Sequence, residues 1–202
     1  MFGLSSFSGQ SRLLVEISRY LPGSTGEIIR MQLSAFFLTI LGLMAAVPAY
    51  AEQLQLLDFE IKDQFENVHR RSDVQGNIVL LIGSDNDGSP FNESWGKAIH
   101  ESLSDHPQYA LISLLAHADL RGVPFFLKGH IRREFPQNPD QYVLMDWKGL
   151  IAKAYNFAPK SSNVLVFAPS GVLVHHASGR EPEDETLNGL LTALRKLLDE
   201  AK

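Results

Sequence analysis

Asp85-Asn86-Asp87-Gly88-Ser89 crowds two carboxylates, an amide and a hydroxyl into five residues, and Asn92 follows shortly after. Carboxylates at this spacing are donors of the kind hard divalent cations take, and a serine beside a base can act as a nucleophile. The same residues also make an ordinary polar turn, with Ser89 capping a helix and Pro90 at its first position, where a missing N–H matters least. Their setting is a junction. Asn77 to Ile82 is a continuous apolar run of the sort buried on both faces of a sheet. Phe91, Trp95, Ala98, Ile99 and Leu103 recur at helical spacing and form one stripe. Asp85, Asp87, Ser89 and Asn92 are therefore carried where a strand hands over to a helix, a place suited to binding.

Other chemistries find less. Aligning Gly88 with the turn glycine of a calcium-binding loop puts Gly83 and Ser94 where the first and last acidic ligands belong. His175 and His176 are neighbours on a strand and point to opposite faces, which is wrong for joint metal binding. His69, His100, His106, His117 and His130 show no short ligand spacing. No metal site and no cofactor is expected. No Ser–His–acid set can be assembled by spacing either, a test that needs geometry, so no catalytic residue is assigned.

Composition excludes more than it proposes. The 202 residues contain no cysteine, which removes disulfides, thiolate-bound metals and catalysis by the protein's own thiols. With 45% hydrophobic and 20% charged residues the chain has the balance of a globular domain. A formal net charge of -5 argues against nucleic acid as a partner, since that role needs clustered cations.

The N-terminal region reads as targeting. Leu33 to Ala49 is uncharged and almost wholly apolar. Ala49 and Ala51 fit a small-x-small signal-peptidase site with cleavage after Ala51. The expected organisation is an over-extended or disordered start over 1–30, a signal peptide over 31–51 and one domain over 52–202. The chain begins at Met1 or at Met31. The destination is the periplasm or the exterior, and the alternative is an uncleaved anchor with the domain facing outside. Membrane contact is expected only through that apolar segment, if uncleaved.

Along the domain, Leu54 to Ile61 alternates like an edge strand. Tyr109 to Leu115 and Tyr142 to Met145 read as further strands, and "WKGLIAKAYNF" as a short helix. Asn163 to Phe167 and Val172 to His176 form a hairpin turned by "APSG". Leu187, Leu190, Leu191, Leu194, Leu197 and Leu198 stripe a last helix that follows acidic "EPEDE", as its dipole favours. Strand–helix–strand at this spacing implies a parallel pair with a right-handed crossover, and the hairpin adds antiparallel strands. The fold class is an α/β sandwich, a central mixed sheet flanked by helices.

That succession resembles the thioredoxin-like, redoxin and peroxiredoxin-like, domains over most of residues 55 to 200. "DFEIKDQFENVHRRSDVQGNIVLLIGS" resembles their opening, "YVLMDWKGLIAKAYNF" their strand, Asp, Gly, short helix and Tyr, and "SSNVLVFAPSGVLVHHASG" their closing hairpin. The pattern is most similar to the small, cysteine-less, exported proteins of the YtfJ type, with a Ser-Ser pair before the hairpin and a Leu-rich final helix. The resemblance implies a reactive cysteine near Asp87 to Phe91 and a cis-proline before Asn163. Here those places hold Asp87-Gly88-Ser89-Pro90-Phe91 and Ser161-Ser162-Asn163, so both halves of the redox site are degenerate.

The acidic turn also resembles the Asp-x-Asp-Gly opening of haloacid-dehalogenase-type phosphatases, in which aspartates hold Mg²⁺ and one attacks phosphate. Against it, Gly83 and Ser84 stand between the apolar run and Asp85, and no later acidic pair follows a strand, Asp146 standing alone. Lys128 to Arg133 reads as a solvated helix face, the alternative being contact with an acidic partner or anionic lipid, with Phe125, Phe126, Phe135 and Trp147 mostly in the core and any left exposed marking an interface. The expected function is a non-catalytic binding or accessory role toward a protein or small ligand. A metal-assisted hydrolase at Asp85 and Asp87 is the alternative.

Overall fold

The computed structural model describes residues 53–201, so the leader, the cleavage site after Ala51 and the anchor alternative lie outside the described residues. A short hairpin, β1 (Glu60–Lys62) and β2 (Val68–Arg70), opens the domain. The main sheet follows, with β3 (Ile78–Ser84), β4 (Ile112–Asp119), β5 (Val143–Asp146), β6 (Ser162–Phe167) and β7 (Leu173–Gly179) in the order β5-β4-β3-β6-β7. β3, β4 and β5 run parallel, while β6 and β7 are antiparallel to their neighbours. The helices are α1 (Asn92–Leu103), α2 (Lys128–Glu134), α3 (Leu150–Ala154) and α4 (Asp184–Glu200). The sheet is mixed and flanked by helices, as the alternation of apolar runs required.

Two apolar layers hold it. On one face Ile78, Leu80, Ile82, Val164 and Val166 pack with Trp95, Ile99 and Leu103 of α1 and Leu190, Leu191, Leu194 and Leu198 of α4. On the other, Val79, Leu81, Leu115, Leu144, Leu165 and Phe167 pack with Ile151, Tyr155, Leu56 and Phe59. β3 and β6 are buried along their whole length because both faces are covered. At about 25 cal/mol per Å² of apolar surface, burial of each large side chain here contributes roughly 2 kcal/mol.

The opening "DQFEN" turn is held by Asp63. Its carboxylate accepts from the backbone of Phe65 and Asn67, from the Asn67 side chain, and lies 2.9 Å from His69 Nε2. Burial would raise the Asp63 pKa, but these hydrogen bonds outweigh it and lower the value. Gln64 then ties the segment between β4 and β5 to the body, donating to the carbonyls of Pro136 and Gln141 and accepting from Val143 N–H.

Four expectations change. Leu54 to Ile61 is not one strand: Leu54 to Leu56 pairs with the chain around Gly171–Leu173, and the regular strand begins at Glu60. Tyr109–Leu111 forms a 3₁₀ turn, so β4 starts at Ile112. β3 runs on through Gly83 and Ser84, which places Asp85 directly at its end and removes one objection to the phosphatase reading. Phe125 and Phe126 are not core, being 85% and 81% exposed.

Candidate functional site: the loop pair at the strand ends

β3, β4 and β5 all end at one edge of the sheet, where crevices between parallel strands form binding sites. Asp85 follows β3, Asp119 ends β4 and Asp146 ends β5, with Asp119 and Asp146 paired in register. Arg121 serves all three. Its guanidinium binds Asp119 in a forked pair and lies across Gly149, where a Cβ would stand only 2.0 Å from Arg121 Cδ. The Asp119 hydrogen bond first, and then the charges of Asp119, Asp146 and Asp85, outweigh burial and raise the Arg121 pKa. A fixed guanidinium thus supplies the positive charge that this acidic edge requires.

Asp146 does not stand alone. Its Oδ2 lies 3.2 Å from His117 Nε2, both side chains being buried, and accepts from Ile151 N–H, while Oδ1 accepts from Lys148 N–H. Burial would raise its pKa, yet the hydrogen bonds from His117, Leu150 and Ile151 lower it. The Asp–x–x–Gly spacing is explained by this arrangement: Asp146 closes the turn, and Gly149 takes φ +64° at the head of α3. His117 occupies the space beside Gly83, where a Cβ would lie 2.6 Å from its Nδ1. Among the described residues no three His, Asp or Glu side chains gather closely enough to hold a metal ion.

The residues singled out in the acidic turn come together with the loop before β6. Asp85 Oδ1 accepts from Gly88 N–H at 2.8 Å, and Oδ2 accepts from Lys160 N–H at 2.9 Å. Lys160 Nζ returns 3.3 Å to Asp87 Oδ2. Lys160 holds φ +56°, a left-handed conformation costing a non-glycine residue on the order of 1 kcal/mol. Gly88 lies directly on Ser161, where a Cβ would meet the Ser161 carbonyl oxygen at 2.4 Å. The two loops close on each other, backbone against backbone.

Ser89 does not cap the helix. Ser89–Phe91 is a 3₁₀ turn, α1 begins at Asn92, and the Ser89 hydroxyl donates to the Asn86 carbonyl. The turn is fixed instead by Asp85. Asn92 turns inward and donates to Ser84 Oγ at 2.9 Å, leaving its Oδ1 buried without a partner. Ser162 is also buried with an unpartnered hydroxyl. Asn163, fully buried, braces the loop by accepting from Ala158 N–H and donating to the carbonyls of Ala158 and Ser161. The described residues contain no cis peptide bond.

His117, Arg121 and Lys160 were not among the expected site residues. Their partners lie 29, 2 and 75 residues away along the chain, and only strand register and loop packing bring the distant pairs together. The short Asp119–x–Arg121 spacing was the one local signal. His175 and His176 do face opposite ways: His175 approaches Gly189 of α4, and His176 lies toward Phe157.

No protein-family model and no curated protein sequence matches the chain. Solved structures do. A Chlorobium tepidum protein described as a thiol:disulfide interchange protein, DsbE, superposes with a TM-score of 0.54 at 17% identity, covering 72% of this chain and 96% of that one. A thioredoxin-like protein from Porphyromonas gingivalis gives 0.52 at 18% identity, covering 74% and 95%. A SCO1/SenC family lipoprotein from Bacillus anthracis gives 0.52 at 8% identity, covering 74% and 98%. At these identities the likeness is one of fold, and that fold is thioredoxin-like.

Proposed function

We propose that this thioredoxin-fold chain is an exported protein that performs no thiol chemistry and serves as a binding or accessory module for a protein or small ligand. In pattern it belongs with the cysteine-less exported proteins of the YtfJ type. The observation that carries the reading is the closure of the two loops. Where a redoxin would carry a reactive cysteine facing a proline loop, Gly88 lies on Ser161, and Asp85 bonds both loops at once. Export is supported by the apolar segment before Ala49-Tyr50-Ala51 and by the lipoprotein with the same fold.

The metal-assisted alternative keeps one point in its favour, the position of Asp85 at the strand end. Against it, both Asp85 oxygens are engaged by backbone N–H groups, Asp119 is paired with Arg121, and Asp146 is bonded to His117 and the Ile151 N–H. The test combines activity with proximity. The purified chain is assayed for insulin-disulfide reduction, peroxide turnover and Mg²⁺-dependent phosphate-ester hydrolysis. A Ser89→Cys variant, whose thiol is unique in the chain, carries a photo-crosslinker into the exporting cell. The reading expects no turnover and a discrete adduct at position 89 that a Lys196→Cys control does not form. Turnover in any assay overturns it.

A further inference from the structure

The segment between β4 and β5 is fastened at its base and bare at its tip. Gln64 donates to its Pro136 and Gln141 carbonyls, Arg132 pairs with Glu66 and lies 5.9 Å over the Trp147 ring, and the Lys128 ammonium lies 4.9 Å over Trp147 and 5.7 Å over Phe125. Yet the turn Phe125–Leu127 presents Phe125 and Phe126 to solvent. Two adjacent, almost fully exposed phenylalanines on an anchored turn mark an interaction surface. Immediately after them α2 carries Lys128, Arg132 and Arg133 with His130, against the single acid Glu134, on a chain that is acidic as a whole. Lys128 and Arg133 make no ion pair among the described residues.

We propose that this tip docks on anionic lipid bilayers, with Phe125 and Phe126 entering the headgroup–acyl boundary and Lys128 and Arg133 meeting lipid phosphates. Charge complementarity favours an anionic surface. The geometry favours a bilayer over a protein groove. Successive residues of a 3₁₀ turn project about 120° apart, so a groove covering one phenylalanine leaves its neighbour bare, whereas a bilayer surrounds both. Such an element gives weak, reversible association, so lipid is used in excess. None of the loop-closing contacts involves residues 125–133, and the proposal stands or falls independently of them.

Trp147 reports on this end of the molecule. The chain's other tryptophan, Trp95, is fully buried, and residues 1–51 contain none. Residues 52–202, which carry both apolar cores but not the apolar Leu33–Ala49 segment, are mixed with brominated phosphatidylcholine vesicles with and without phosphatidylglycerol, and Trp147 quenching is followed. The expected result is quenching by the anionic vesicles that falls with added salt. The apparent affinity for the anionic vesicles drops about fivefold for each of Lys128→Gln and Arg133→Gln, and quenching is abolished by Phe125→Ser/Phe126→Ser, a pair too exposed to alter the unfolding transition. Absence of quenching, equal quenching by neutral vesicles, or quenching that survives the double serine change overturns the proposal.

Discussion

Gly88 and Ser161 touch through their backbones, although 73 positions separate them in the sequence and they belong to different loops. The contact is possible because Gly88 has no side chain. Its φ of -86° is open to any residue, so the demand for glycine here is steric and comes from Ser161 alone. That closeness, with Asp85 bonded across it, braces the two loops against each other at the strand ends.

Gly88→Ala therefore forces the loops apart. Overpacking of this kind costs about 1–3 kcal/mol. Urea unfolding should show a lower midpoint with an unchanged slope, and no such loss should follow Gly96→Ala, at a helical glycine whose added Cβ would meet nothing closer than 3.9 Å.

Asp146 gives a pH signature. The folded-state pKa of Asp146 lies below the ordinary 3.8, so the carboxylate's contribution is complete above that value and is lost as pH falls through the folded one. Asp146→Asn should destabilise by about 1–3 kcal/mol near neutrality, since buried donors lose a charged acceptor. The gap between wild type and variant should close as pH falls below 3.8. Denaturation at a series of pH values reads it directly.

Tyr155 fastens the first residues of the domain. Its hydroxyl accepts from Leu57 N–H at 2.6 Å and donates to the Gln55 carbonyl at 2.8 Å. Tyr155→Phe should cost about 1–3 kcal/mol by stranding the Leu57 N–H. Limited proteolysis should find the segment before Phe59 cut sooner in the variant.

The sheet and its large helices were legible because burial on one or two faces writes itself into apolar periodicity. Trp95, Ile99 and Leu103 of α1, and Leu190, Leu191, Leu194 and Leu198 of α4, all lie in the core as the stripes required. Local chemistry misled where a neighbouring residue took over a role. Ser89 has the right type for a cap, yet Asp85 fixes the turn and α1 begins three residues later. Phe125 and Phe126 carry no local sign of exposure, since an apolar residue on an inserted turn reads like any core residue. His117 and Asp146 are paired by the parallel register of β4 and β5, which no spacing along the chain encodes.

The measurement that bears most directly on the closed loop pair is native-state hydrogen exchange at two backbone amides, Gly88 and Lys160. Both donate to the one Asp85 carboxylate. Exchange should be slow at both, with matching protection because one opening exposes them together. Asp85→Ala should release both while leaving Leu81 in β3 protected. Free exchange in the wild-type protein would mean that the loops stand open and that the edge is available for chemistry after all, and protection indifferent to Asp85→Ala would mean that the Asp85 carboxylate is not what holds them closed.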